Sequence, residues 1–256
     1  MLPAARLNAI LADILAKGSG TIPELSEKYG VSEMTIRRDL KSLEEQGFIR
    51  RTHGGAVNAG TSPIEPYHEL KMEHSGPQKE AIARYAVEHF IQDSDIIILE
   101  GGTTIEAMLP YLTRFEALTI MTNSLFTLNG LKTNAGSHTI ISSGGMLRSV
   151  SFTFVGPFAE KTFQEFNAKS VFLSATGWTR EVGFSDPGML DTQVKKAMIQ
   201  SAQQTIVLLD SSKFGVTSLT TFLNPFDADV LITDSGAPRE GLREISERGT
   251  TVCIVD

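Results

Sequence analysis

The sequence predicts an α/β protein in two parts. A small helical head ending in a β-hairpin covers residues 1–57, residues 58–77 form a linker, and residues 78–256 form a larger α/β domain with a mainly parallel sheet. Three observations predict this. Apolar residues recur at helical spacing through the first third of the head and beyond, punctuated by glycines. From Gln78 onward, short apolar runs alternate with stretches long enough for helices, the pattern of a parallel sheet covered on both faces. Charge is also divided unevenly. Residues 1–57 hold eight Lys/Arg and seven Asp/Glu, near +1, whereas the remainder is near −8 of the chain's total of −7.

In the head, Leu7, Ile10, Leu11, Ile14 and Leu15 make one apolar stripe on a helix that ends at Gly18. A short second helix begins near Pro23, a residue suited to a first turn, and stops at Gly30, with Leu25 and Tyr29 facing inward. Ser32 is a good N-cap for a third helix, which Gly47 closes. At about 100° per residue, Ile36, Leu40 and Leu43 of that helix fall on one face and belong to the core. Met34, Arg38, Lys41 and Glu45 lie opposite, flanked by Thr35 and Ser42 on one side and Arg37 on the other. Phe48 to Val57 then reads as two extended stretches around Gly54-Gly55, a β-wing carrying Arg50, Arg51 and His53.

Such a helix can enter a DNA major groove, where Arg bonds guanine edges in bidentate fashion and Lys or Ser contacts phosphates. A basic wing would add contacts to the flanking backbone. A solvated charged face is the ordinary fate of two adjacent arginines. Helix–turn–helix spacing, capping residues and a basic wing in one segment favour double-stranded DNA instead.

The run Gly30-Val31-Ser32-Glu33-Met34-Thr35-Ile36-Arg37-Arg38-Asp39-Leu40, followed by Leu43-Glu44, Gly47, Arg51 and His53-Gly54-Gly55-Ala56, resembles the signature of DeoR-type bacterial repressors. The resemblance implies a winged helix-turn-helix in which Ser32, Thr35, Arg37, Arg38 and the wing around Arg51 and His53 face an operator, to which the helix face and the wing tip add Lys41 and Gly54.

The linker NAGTSPIEPYHELKMEHSGP is rich in Pro, Gly, Ser and charge. His68 and His74 form the one close histidine pair, without a cysteine nearby, and are not expected to hold a metal. Beyond it, Ala81, Ile82, Tyr85, Ala86 and His89-Phe90 mark an amphipathic helix. Strands are expected at 96–99, 118–122, 139–142, 170–174, 205–209, 230–233 and 251–255. Ligands of parallel sheets sit beyond the carboxyl ends of the strands, and small polar residues gather there. Glu100-Gly101-Gly102-Thr103-Thr104 follows the first strand, Thr122-Asn123-Ser124 the second and Gly144-Gly145 the third. Ala175-Thr176-Gly177 follows the fourth and Asp210-Ser211-Ser212-Lys213 the fifth, before Thr233-Asp234 on the sixth. Glycines let backbone N–H groups approach an anion, a helix opening at Thr103 favours negative charge, and Lys213 offers a point charge.

These segments, with Lys79 and Gly156, resemble the effector domain of the same family, related in fold to pentose-phosphate isomerases. The resemblance implies that the Gly102–Thr104 turn takes a phosphate while Asn123 and Lys213 contact the carbon chain of a phosphorylated sugar or polyol. Glu100 stands where the family usually has Asp, and Asp191 where it usually has Glu. Trp178, the sole tryptophan, is either core or lid, or stacks on the effector.

The classes this excludes are informative. No run of about twenty apolar residues exists to span a bilayer, and MLPAARLNAI has neither the apolar centre nor the cleavage site of a signal peptide. A single cysteine, Cys253, in an apolar run is expected to be a buried thiol and suits a reducing cytoplasm. The expected protein is a homodimeric or homotetrameric, ligand-controlled repressor without catalytic residues or cofactor. An isomerase or deaminase is disfavoured because the loop after the fourth strand reads Ser174-Ala175-Thr176-Gly177 and supplies no carboxylate base, leaving only Asp210 and Glu100 to substitute. An architectural DNA-binding oligomer would leave the polar loops without a purpose.

Overall fold

The computed structural model describes residues 3–45, 49–58, 68–73, 75–133 and 136–256. The chain divides into two compact units, Met1–His74 and Ser75–Asp256.

The first unit contains α1 (Pro3–Lys17), β1 (Ser19–Thr21), α2 (Ile22–Tyr29), α3 (Glu33–Glu45), β2 (Ile49–Thr52), β3 (Gly55–Asn58) and α4 (His68–Glu73). Ile10, Leu11 and Ile14 of α1 meet Ile36, Leu40 and Leu43 of α3 in one buried core, closed by Ile22, Leu25 and Ile49. The second helix has a reciprocal cap: Glu24 N–H donates to Thr21 Oγ1 and Thr21 N–H to Glu24 Oε2. It ends at Gly30 in the left-handed conformation, φ +62°. Gly47, expected to close α3, lies outside the described residues, as does His74.

One strand was not expected. Ser19–Thr21 pairs antiparallel with β3, so the wing is a three-stranded sheet in the order β1-β3-β2. Three residues of mixed polarity carry no period of their own, and β3 supplies the partner 36 residues on (Gly20 opposite Ala56). That pairing demands glycine at Gly55, where a Cβ would overlap the Gly20 carbonyl and stand 2.8 Å from Thr21 Cα. Helix α4 occupies part of the stretch read as a linker.

The second unit opens with α5 (Gly76–Phe90), β4 (Ile96–Leu99), α6 (Thr103–Glu106), α7 (Leu109–Leu112), β5 (Thr119–Thr122), α8 (Leu125–Thr133) and β6 (Thr139–Ser142). It continues with β7 (Met146–Leu147), β8 (Phe154–Val155), α9 (Pro157–Gln164), β9 (Ala168–Leu173), β10 (Gly177–Thr179), β11 (Gly183–Asp186) and α10 (Met189–Gln200). Last come β12 (Ala202–Leu208), a 3₁₀ turn at Ser211–Lys213, β13 (Thr220–Leu223), β14 (Val230–Asp234), α11 (Arg239–Glu247) and β15 (Thr251–Val255).

All seven expected strands lie in one sheet, ordered β15-β14-β12-β9-β4-β5-β6, and every neighbouring pair is parallel. Residues alternate between two cores: Ile97 and Leu99 of β4 join Ile82 and Val87 of α5 on one face, while Ile98 joins Phe163 of α9 and Met198 of α10 on the other. The order encodes a reversal. From β4 the chain builds outward through β5 to β6, then returns to β4's other side with β9 and builds away through β12, β14 and β15. Loops on either side of such a reversal diverge and leave a crevice at the strands' carboxyl ends.

Sequence reading did not find the small sheet β10-β11-β13 or the ribbon β7-β8. Trp178 settles into the core: it is buried, its indole N–H donates to the Pro225 carbonyl at 3.1 Å, and its ring lies 5.5 Å from that of Phe214. Cys253 is only half-buried, because β15 is the edge strand of the sheet.

Candidate nucleic-acid interface and ligand cleft

In the first unit, α3 presents its outer face to solvent. Met34, Arg37, Arg38 and Lys41 are exposed, and Arg37 makes a loose pair with Glu33 one turn back, 3.5 Å apart. Ser32 caps the helix by accepting from Thr35 N–H, and its hydroxyl lies 3.0 Å from that of Thr35. The two residues therefore stand together at the helix N-terminus, where a phosphate is favoured. The helix is held by a buried acid: Arg6 of α1 donates through Nε to Asp39 Oδ2 at 2.7 Å and through Nη2 to Oδ1 at 3.3 Å. Neighbouring Arg38 and Asp39 thus have opposite fates, one free in solvent and one locking α3 to α1.

The wing carries its tip, His53-Gly54, in solvent. Ile22 N–H donates to the Gly54 carbonyl at 2.8 Å and anchors the tip to α2. Arg51 is half-buried: its backbone N–H donates to Glu44 Oε1 at 2.8 Å, and its guanidinium lies 3.9 Å from Glu44 Oε2. Strand alternation turns Arg50 fully outward instead.

In the second unit, the crevice at the β4/β9 reversal is built from Glu100–Thr104 and Ser174. Gly102 precedes α6, and a Cβ there would overlap Ser174 Oγ and stand 3.0 Å from Glu100 Oε2, so only glycine fits. A Cβ on Gly101 would overlap the Thr153 methyl and stand 3.2 Å from Ser124 Cβ. The amide groups of this turn are consequently bare of side-chain cover from their own residues. Asn123 donates to the Phe154 carbonyl, while its Oδ1 is buried without a hydrogen-bond partner, 3.6 Å from the Gly101 Cβ position. Thr122 and Ser124 serve the backbone: Thr122 Oγ1 accepts from Ser124 N–H, and Ser124 Oγ caps α8 through Thr127 N–H.

Two strands from β4, Asp210 and Lys213 follow β12, ~10 Å away at ordinary strand spacing. Burial works against ionisation of Asp210, yet Lys213, the Ser212 hydroxyl and amide, and Lys79 together hold its carboxyl below the usual range. Lys79 sits in the first turn of α5, the helix that packs on α6. The structure places Gly101, Gly102, Thr103, Thr104 and Asn123 at the ends of β4 and β5, and brings Lys79 and Lys213 near Asp210 after β12. Gly144 and Gly145 lie farther out, past β6, where left-handed φ values of +61° and +108° turn the chain into β7. Their glycine requirement is local.

Sequence reading missed Lys195, Asp186, Thr153 and Arg148. Lys195 is buried on α10; its ammonium lies 2.5 Å from Asp186 Oδ2 and 3.2 Å from Glu100 Oε1, and donates to the Ser174 carbonyl at 2.7 Å. Burial opposes its charge, but the two carboxylates outweigh burial and keep the ammonium protonated. Glu100 is fully occupied, since its other oxygen accepts from the amide and hydroxyl of Ser174. Burial nonetheless raises its pKa, Lys195 opposing and Asp186 reinforcing the rise. Asp191 accepts from Thr153 at 2.8 Å and from Arg148. Of the two carboxylates that could have served as an isomerase base, Glu100 is tied to Ser174 and Lys195, and Asp210 caps the turn that carries Lys213. The available signal for Lys195 was a lysine set among Val194, Ala197 and Met198 on an apolar helix face. For Asp186 and Thr153 there was none, because both depend on short strands without periodicity.

Residues 6–61 match the family model described as a DeoR-like helix-turn-helix domain, and residues 75–235 match the DeoR C-terminal sensor domain. A DNA-reading head and a sensor domain define a transcription regulator. This chain belongs to the DeoR family. It is 34% identical over 255 residues to the uncharacterized HTH-type transcriptional regulator YulB of Bacillus subtilis, covering 100% of this chain and 98% of that one. It is 32% identical over 252 residues to a putative aga operon transcriptional repressor of Escherichia coli O157:H7, covering 98% and 93%. Among solved structures, ribose 5-phosphate isomerase A of Methanocaldococcus jannaschii overlaps 53% of each chain at a TM-score of 0.38 and 16% identity. Among the described residues no helix is long and apolar enough to cross a membrane, and no cluster of His, Cys, Asp or Glu is arranged to hold a metal.

Proposed function

We propose that this regulator is a repressor of a carbohydrate or polyol catabolic operon, and that a phosphorylated sugar or polyol controls its affinity for operator DNA. It acts in the cytoplasm as a homodimer or homotetramer. The reading rests on the polar loops at the carboxyl ends of the parallel strands, on either side of the β4/β9 reversal. The bare glycine turn after β4 opens α6, and two lysines, Lys79 and Lys213, stand near Asp210 after β12. Backbone amides at a helix N-terminus suit a phosphate. The unpartnered Asn123 oxygen and Asp210 suit hydroxyls of the carbon chain. The name of the E. coli relative supports repression.

In the head, Ser32, Thr35, Arg37, Arg38 and Lys41 read the major groove or its phosphates, and the wing at Arg51, His53 and Gly54 follows the adjoining backbone. Effector control requires different affinities of the ligand for two arrangements of the heads. Fluorescence anisotropy of operator DNA with the purified protein, with and without a panel of phosphorylated sugars and alditols, tests this. At least one compound is expected to change the operator affinity severalfold; if none alters it, the reading fails.

A further inference from the structure

We propose that two copies of this chain pair through an apolar patch formed by β7 and the first turns of α9 and α10, and that this patch is the outer side of the ligand crevice. The inference rests on the function proposed above in one respect, the need for two heads. A single helix-turn-helix head reads one half-site, so operator recognition calls for a second copy.

Five large apolar side chains make the patch: Met146 (55% exposed), Leu147 (46%), Phe158 (77%), Met189 (65%) and Leu190 (42%). Three contacts bring them together. Helices α9 and α10 meet at their C-terminal ends, where Ser201 Oγ donates to the Phe163 carbonyl at 2.8 Å. Both then run back along each other, so their N-terminal turns, with Phe158 and Met189-Leu190, share one end. At that end Met146 closes on the turn before α9, its Cε only 2.8 Å from where a Gly156 Cβ would stand. Arg148, directly after β7, is paired with Asp191 in the first turn of α10.

Area favours a protein partner. A wholly exposed large side chain presents ~150–250 Å², so these exposures sum to on the order of 500 Å². That is the greater part of the ~800 Å² each partner buries in a stable dimer. The rim favours a copy of itself. It carries Glu160 and exposed Lys161 on α9 and exposed Lys196 on α10, and a two-fold axis sets such mixed charges acid against base. The patch also connects inward: Asp191 accepts from Thr153, and the Thr153 methyl packs against Gly101 of the crevice turn. A ligand that shifts this turn therefore pushes on the pairing surface.

The experiment is sedimentation of the full chain at tens of micromolar, alongside the double variant Phe158→Glu/Met189→Glu and the single variants Leu219→Glu and Ile254→Glu. Leu219 and Ile254 are exposed apolar residues elsewhere, the latter on the edge strand. Wild type is expected to be a dimer or a multiple of it, the double variant to fall to half that mass or less, and Leu219→Glu to keep the wild-type mass. A monomeric wild type, or a double variant at full mass, overturns the inference. So does a loss of assembly confined to Ile254→Glu. Hydrogen exchange on wild type gives a readout without mutation: peptides around 146–148, 157–160 and 188–191 should lose protection on dilution, and unchanged protection also overturns it. Calorimetric binding of a sugar phosphate to the double variant keeps the two readings apart, since it can persist whether or not the copies pair.

Discussion

Lys195 and Glu100 meet 3.2 Å apart directly beneath the reversal of the sheet, with Asp186 on the other side of the same ammonium. The lysine thereby joins α10, β11 and the ends of β4 and β9 at one buried point. Removing one member of a buried ionic group leaves the others uncompensated, at a cost of about 3–5 kcal/mol. Lys195→Met is expected to lose that much in urea unfolding of the full chain. Adding Glu100→Gln and Asp186→Asn should restore a large part of it. Equal stability of the single and triple variants would show that charge is not the source.

Gly102→Ala tests the crevice floor. Its Cβ would overlap the Ser174 hydroxyl, which is already committed to Glu100. The turn must shift to accommodate it, and a displaced amide loses a charge-assisted hydrogen bond to phosphate, ~1.5–3 kcal/mol. Calorimetry with the effector is therefore expected to give at least tenfold weaker binding. Operator affinity without effector should hardly change.

The carboxyl of Asp210 offers a pH signature. Its pKa in the folded chain lies below the ordinary 3.8, so between the two values the unfolded chain binds more protons and stability rises with pH. The contribution is complete above the unfolded value and is lost as pH falls through the folded one. Asp210→Asn should accordingly be less stable than wild type near neutrality, with the gap closing as pH falls below the ordinary carboxylate range. Urea midpoints across this range measure it, and a gap that widens on acidification would contradict the sign.

On the head, Arg38 and Arg51 are expected to differ. Arg38 stands free on the outer face of α3, so Arg38→Ala should cost about 1–3 kcal/mol of operator affinity and relax base preference at one position. Arg51 is partly engaged by Glu44, and its substitution should weaken specific and non-specific DNA alike while lowering the salt dependence by about one ion. Anisotropy titrations at several salt concentrations separate the two.

What could be read before folding follows from how far each signal reaches. The stripe from Leu7 to Ile14, the cap at Ser32 and the apolar strands 96–99 and 119–122 declare themselves within a few residues, and all are present. The loops after β4 and β12 could be placed because a parallel sheet puts all its carboxyl ends on one edge. Strand β1 could not, since its partner lies 36 residues on, nor could the ribbon β7-β8, whose two-residue strands are too short to show alternation. For the same reason the lysine read from the loops was Lys213, while Lys79 came with the family resemblance. Lys195 stayed hidden because only tertiary contact brings Asp186 and Glu100 to it.

The bond between Glu100 and Ser174 spans 74 residues of chain. During synthesis, the glycine turn leaves the ribosome long before the strand that must brace it. A product ending short of β9 would thus retain every groove-reading residue yet lack a finished receptor. Nonsense mutations in that interval, which also remove β12, β14, β15 and α10, should leave no folded receptor and behave as losses of the regulator.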